Sequence, residues 1–246
     1  DIVSNEPSIV PEMIDLKNID NGWQALDQSA SNIFFGNEIQ YADEWSYPRA
    51  YLTSDGNIVG ISYNKIWVMD IKNNHRVFKT AEIPLVEGGV SNIIEFKNPN
   101  SDGKHKENLQ LLTIGSPVGS TNSTVMIEKD KVLIFGGKQA GKEYTSSNKV
   151  MLVDFSNSLK PKLLEFKNMK YARNNANITT LPDGNIFING GSSYNKDDFK
   201  FSILTPEIYN PKNQSSIEME KAYFRRNYHS ASLLLADGRV WTGGGD

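Results

Sequence analysis

The 246-residue sequence has no cysteine, so neither a disulfide nor a thiolate metal site can form within it. That absence does not fix a compartment, because secreted proteins without disulfides are common. There is no apolar run of about 18 residues, which excludes a membrane-spanning helix. Blocks of like charge are missing as well, and with a net charge of −3 the chain offers no electrostatic footprint for nucleic acid or anionic lipid. The first residues, DIVSNEPSIVPEM, lack the basic and then apolar regions of a secretory leader, so a leader is either not used or already removed. No phosphate-binding glycine loop, Ser-His-Asp order or zinc motif is found. What the sequence does have is 38% hydrophobic and 10% aromatic residues, enough for a sizeable core.

Those apolar residues recur in a repeated unit: a β-rich run, a turn containing Asp, a second β-run, and often glycines. The copies read AYLTSDGNIVGIS (50–62), VMIEKDKVLIFGG (125–137), ITTLPDGNIFINGG (178–191) and ASLLLADGRVWTGGG (231–245). Their aspartates, Asp55, Asp130, Asp183 and Asp237, are 75, 53 and 54 residues apart. With an insertion near 95–118 set aside, the period is about 50 residues, that of kelch repeats. Asp-Gly supplies the positive φ angles of a tight two-residue hairpin turn, and the flanks are rich in Ile, Val, Leu, Phe and Trp. A third run follows in KIWVMDI (65–71), KVMLVDF (149–155) and PEIYNP (206–211), and a fourth in RVFKTAEI (76–83), PKLLEFKNM (161–169) and SSIEMEK (215–221). Four antiparallel strands per repeat make a β-propeller blade, with the doublets Gly136-Gly137 and Gly190-Gly191 where strands crowd.

This reading predicts an all-β, kelch-type β-propeller running through 1–246. Blades occupy 41–95, 118–170 and 171–222, the end of a preceding blade occupies 1–40, and a further blade begins at 223–246. EMIDLKNIDNGWQAL (12–26) reads as the last two strands of that preceding blade, with Trp23 packed under its neighbour. Three full blades and two half-blades do not close a ring, so the chain is expected to be a section of a seven-bladed propeller. Its partner is then the remainder of the same propeller, present elsewhere in the polypeptide or as another chain.

Two segments resemble galactose oxidase and the glyoxal oxidases. One is ARNNANITTLPDGNIFINGG (172–191) followed by TPEIYNP (205–211) and RRNYHSASLLLADGRVWTGGG (225–245); the other is WSYPRAYLTSDGNIVG (45–60). The resemblance implies oxidation of primary alcohols or aldehydes, carbohydrates among them, by dioxygen at one copper ion and a tyrosine radical cross-linked to cysteine. It also implies a secreted, periplasmic or cell-surface protein. It places copper ligands at Tyr228 and His229, donors that suit Cu(II). Adjacent residues on a strand face opposite ways, so a shared site requires a loop at the start of a strand. Tyr47 and Arg49, with Pro48 between them, resemble the tyrosine-arginine pair of the substrate pocket, where a guanidinium can donate to sugar hydroxyls. The cross-linked cysteine and tyrosine and the second histidine belong, by the same resemblance, to sequence before residue 1 and after residue 246. This chain alone is then expected to hold copper weakly. Ala176 stands where the family often has a histidine on the active-site side.

Other readings stand beside these. His229 in isolation would cap a strand, and Tyr47 and Arg49 would bridge adjacent blades. His75 and His105 lie in polar stretches without a ligand-spaced partner and read as surface residues. Asp197-Asp198 reads as a solvated loop, since calcium requires more oxygen ligands at set spacing. Asn122, Asn177 and Asn213 begin glycosylation sequons, which arise by chance in a chain this rich in Asn. A non-catalytic propeller that binds carbohydrate or protein, and a purely structural interaction module, remain the alternative functions.

Overall fold

Each repeated run is a β-strand. A computed structural model describes residues 9–35, 48–62, 65–83, 86–87, 114–115, 121–137, 146–194 and 199–245. A four-stranded antiparallel sheet joins β3 (Arg49–Leu52), β4 (Ile58–Ser62), β5 (Lys65–Asp70) and β6 (Arg76–Glu82) in chain order. A second joins β9 (Ser123–Glu128), β10 (Lys131–Phe135), β11 (Val150–Asp154) and β12 (Lys162–Phe166). The third comprises β13 (Asn177–Thr180), β14 (Ile186–Asn189), β15 (Glu207–Asn210) and β16 (Ser215–Glu218). Two-stranded sheets pair β1 (Glu12–Ile14) with β2 (Trp23–Ala25), β7 (Val86–Glu87) with β8 (Ile114–Gly115), and β17 (Ser230–Leu234) with β18 (Val240–Gly244). Among the described residues the only helical pieces are short 3-10 turns, and no helix is long and apolar enough to cross a membrane.

The hairpin turns correct one expectation. The Asp-Gly pairs do join first to second strands, but through a five-residue loop rather than a two-residue one. Thr53 N–H donates to Asn57 O and Gly56 N–H to Thr53 O, and the same pattern recurs at Leu181–Asn185 and Leu235–Arg239. Only the glycine of each pair takes a positive φ, while the aspartate accepts a bond from the backbone N–H two residues on. The β9–β10 turn lacks glycine, and there Asp130 itself adopts φ +62.

Strand alternation sends neighbouring side chains to opposite faces, and the middle sheet uses both. Val132, Ile134, Met151 and Val153 pack with Val59, Ile61, Ile66 and Val68 of the sheet before it. Leu133, Phe135, Val150 and Leu152 pack with Ile186, Ile188 and Tyr209 of the sheet after it. Each such buried side chain contributes about 1.5–3 kcal/mol. Trp67 and Met69, on the far face of the first sheet, pack against Phe34, with Leu26 and Ile33 beside them. The expectation that Trp23 fills this place is wrong: Trp23 is 66% exposed, and the 3-10 segment after it supplies the packing instead. Phe34 meets Trp67 edge-on at 4.9 Å, a favoured aromatic geometry.

The first strands of successive sheets run side by side in parallel. Tyr51 Oη donates to Thr124 Oγ1 at 2.7 Å. Asn175 N–H donates to Thr121 O at 3.2 Å, and Thr179 Oγ1 and Ser232 Oγ lie 2.8 Å apart. Sheets stacked face to face with their first strands adjacent make a propeller-like arrangement around an axis. At the other end of these strands the turns are tied together, Asp130 accepting from the N–H and Oγ of Ser54, and Ser158 Oγ donating to Asp55. Burial raises the Asp55 carboxyl, but bonds from Thr53, Ser158 and backbone N–H groups outweigh it and hold it below the usual carboxylate range.

Candidate functional site

The run from Arg225 to Ser230 leads into β17 and carries the Tyr-His pair. It closes on itself because Ser230 donates to Asn227 O through both its N–H, at 3.2 Å, and its Oγ, at 2.6 Å. Within this turn His229 takes φ +59, a left-handed conformation rare for non-glycine residues. That backbone twist brings the Tyr228 and His229 rings to a centroid distance of 3.7 Å at 33°. Two consecutive residues thereby present a phenol and an imidazole together, which an extended strand would forbid. Tyr228 is half-buried and His229 exposed.

The turn is seated against the preceding sheet. Gly191 N–H donates to Arg226 O at 2.7 Å, Asn227 Nδ2 to Ser202 Oγ at 3.0 Å, and Asn177 Nδ2 to Ser230 Oγ at 2.8 Å. Gly190 sits at φ +68, and a Cβ there would lie 2.1 Å from Arg226 O. Gly136 does the same one sheet earlier, where a Cβ would lie 2.4 Å from Arg173 O. The glycine doublets therefore mark where a second strand ends against the segment that begins the next sheet. The two buried side-chain oxygens without a hydrogen-bond partner among the described residues, Oδ1 of Asn189 and of Asn227, also lie here.

Arg173 is the position equivalent to Arg226 and performs a different task. Fully buried, it meets Glu207 of the TPEIYNP run through Nε at 3.2 Å and Nη2 at 3.1 Å, and donates to the carbonyls of Gly190 and Thr205. Glu207 accepts in addition from the N–H groups of Lys170 and Tyr171 and from Ser216 Oγ. Burial lowers the Arg173 pKa, against which the adjacent Glu207 charge works. Sequence reasoning passed over this pair, although aligning ARNN (172–175) with RRNY (225–228) at an offset of 53 would have marked the arginine.

Of the other residues marked in the sequence, Arg49 opens β3 opposite Ile61, at the end of its sheet where Tyr228 and His229 open theirs. Its charge acts on Tyr51, whose hydroxyl is nonetheless pushed up in pKa by burial. Ala176 lies beside Gly191, at which a Cβ would come within 3.2 Å of it. His75 sits in the turn before β6 with φ +58, its carbonyl accepting from Ser29 Oγ. Tyr47, His105 and Asp197-Asp198 lie outside the described residues.

As a test of fit to copper, the donor set at the β17 turn is one imidazole nitrogen and one phenol oxygen, both suited to Cu(II). Among the described residues no group of three or more His, Cys, Asp or Glu is placed to hold a metal.

Known proteins are similar to this chain in sequence and fold. Galactose oxidase of Gibberella zeae is 31% identical over 150 residues, which make up 59% of this chain and 22% of that protein. An aldehyde oxidase of Arabidopsis thaliana is 27% identical over 213 residues, 80% of this chain and 32% of that protein. A fungal alcohol oxidase solved in complex with copper superposes with a TM-score of 0.51 at 20% identity, covering 97% of this chain and 54% of that one, and shows the shared fold. The chain thus spans 22% to 54% of the length of these relatives. The glyoxal oxidase N-terminus family matches residues 24–246, taking in every four-stranded sheet and the Tyr-His turn, and the chain belongs to that family.

Proposed function

We propose that this chain supplies part of the active site of a copper-dependent oxidase of primary alcohols or aldehydes, carbohydrates among them, working outside the cell or at its surface. The observation that carries the reading is the β17 turn, in which the Tyr228 and His229 rings stand 3.7 Å apart at the start of an inner strand. Tyr228 Oη and one His229 ring nitrogen would be the ligands, the phenol giving up its proton on binding. Bound copper supplies one-electron chemistry with dioxygen. In this reading Arg49 donates to hydroxyl groups of the alcohol, and Tyr47 is assigned to the same substrate pocket on the sequence resemblance alone. Asn177, Ser230 and Gly191 hold the ligand turn in place. The chain's partner in this reading is further propeller sequence, which brings the remaining ligands.

The experiment is a Cu(II) titration of the chain, followed by calorimetry and by the electron paramagnetic resonance of the bound ion. Two ligands give a weak site, and His229→Ala should weaken it further by about tenfold or more, equivalent to about 1.4 kcal/mol. Copper binding unaffected by both His229→Ala and Tyr228→Phe overturns the assignment. A tight site with tyrosyl-radical absorption in this chain alone overturns the part-site reading.

A second reading, a non-catalytic propeller that binds carbohydrate or protein, draws on Ala176, which leaves a methyl group facing Gly191 where relatives often carry a histidine. Under it, sugar binding would depend on Arg49 and would not change on adding copper.

A further inference from the structure

Three Asn-x-Ser/Thr sequons occur in the chain, and the fold treats them differently. Asn122 is 4% exposed, and the hydroxyl of its sequon partner Thr124 accepts from Tyr51 across two sheets at 2.7 Å. Asn177 lies on an inner strand with Nδ2, the nitrogen that would carry a sugar, donated to Ser230, and its partner Thr179 is buried against Ser232. A glycan on either would have to pass between packed sheets. Asn213 is exposed in the turn that joins β15 to β16, and its side-chain oxygen accepts from Ser215 N–H at 3.1 Å and Ser215 Oγ at 2.7 Å. The sequon hydroxyl is thus already turned onto the acceptor amide, while Nδ2 takes no part in either bond.

We propose that Asn213 is an N-glycan acceptor, and that it is the one sequon of the three that carries a glycan in the folded protein. This rests on the extracellular reading given above. In the transfer, Asn213 Nδ2 attacks the anomeric carbon of an oligosaccharide linked to a lipid diphosphate. The C–N bond forms, the C–O bond to the diphosphate breaks, the lipid diphosphate leaves and Nδ2 loses a proton. The transferase and the lipid-linked donor come from the secretory membrane. Because Ile188 pairs with Glu207 and Ile186 with Tyr209, β15 runs from the Tyr-His end of its sheet to the opposite end, where residues 211–214 turn. The glycan therefore sits away from the candidate site, on a turn fixed by the bond from Lys167 N–H to Gln214 Oε1 at 3.0 Å. A bulky solubilising group is tolerated there and not at the other two positions.

The test uses the full chain behind a cleavable secretory leader in a eukaryotic host, so that the leader supplies the compartment and only acceptor competence is read. Peptide mapping of the folded secreted fraction, before and after amidase treatment, should show glycan at Asn213 and unmodified Asn122 and Asn177. The glycan should vanish in Asn213→Gln and Ser215→Ala and persist in Ser215→Thr. An unmodified Asn213 in cells that glycosylate a control protein overturns the proposal, and so does glycan at Asn122 or Asn177 in the folded fraction. The wild-type map decides even if a variant fails to fold, because it is read on the folded, unaltered chain. Fractionation of the native protein in its own cells reads the extracellular assignment separately.

Discussion

At the scale of single residues, the Arg173–Glu207 pair determines more of the architecture than the residues the sequence brought forward for chemistry. Its carboxylate holds the Lys170 and Tyr171 N–H groups and Ser216, and its guanidinium holds the carbonyls of Gly190 and Thr205, so that the chain before β13, the end of β14 and the start of β15 meet at one point. Removing one member leaves the other charged and buried, which costs about 3–5 kcal/mol. We expect Glu207→Gln and Arg173→Met each to lower the unfolding free energy by that order, read as a lower urea midpoint at unchanged m value. A simple ion pair is often replaced by apolar residues at no loss, whereas here the double variant Arg173→Met/Glu207→Leu should stay destabilised, because it orphans the backbone groups that the pair satisfies. Recovery of wild-type stability in the double variant would contradict this account. Tyr209, buried beside the same junction with Oη donating to Lys167 O at 2.8 Å, has its pKa pushed up to about 12 by burial.

At the scale of elements, the glycines divide into those needed for their backbone angle and those needed also for space. Gly56 and Gly190 have φ of +89 and +68, but a Cβ on Gly56 meets nothing within 4 Å and one on Gly190 meets Arg226 O at 2.1 Å. Gly56→Ala is therefore expected to cost about 1–2 kcal/mol, the left-handed penalty alone. Gly190→Ala should cost about 3 kcal/mol or more, since the start of the next sheet has to move. Hydrogen exchange separates the two effects, because the Gly191 N–H bonded to Arg226 O should lose protection only in the Gly190 variant; equal costs and equal protection would sink the idea of a socket. Strands were legible because alternation and repetition agree, and ASLL, IFIN and VLIF fall on β17, β14 and β10. The hairpin loops were misjudged in length, since Asp-Gly is compatible with more than one loop and the deciding bonds, Thr53 to Asn57 and its repeats, leave no separate mark in composition. Trp23 was misplaced because a large aromatic signals burial without saying against what. The Tyr-His pair was legible as a turn from its place before ASLLL, but the ring contact depends on the φ of His229, which no residue type dictates.

For the whole molecule, what matters is how sheets cover one another. The middle sheet is covered on both faces, and its alternating residues reach the cores on either side. Among the described residues the β17–β18 pair is covered on one face, where Ser230 and Ser232 bond to Asn177 and Thr179 of the preceding sheet, and strand alternation turns Leu233 the other way. Leu233 pairs in register with Trp241, and the two are 60% and 53% exposed. Burying a side chain of this size contributes about 1.5–3 kcal/mol, and among the described residues β18 pairs with β17 alone, which leaves its other edge for pairing. At the other end of the chain Leu16, Ile19 and Trp23 are exposed as well, so two copies have unlike apolar surfaces to bring together head to tail. We therefore expect the chain produced by itself to associate in a concentration-dependent way, visible as a rise in mass by light scattering across a dilution series. Leu233→Lys with Trp241→Lys should reduce that association without lowering the melting temperature, since neither side chain supports the core. Thr242→Pro, which removes a donor from β18, should reduce it only if edge pairing rather than face packing joins the copies. A wild-type chain that stays monomeric at every concentration would show that this apolar face does not drive association.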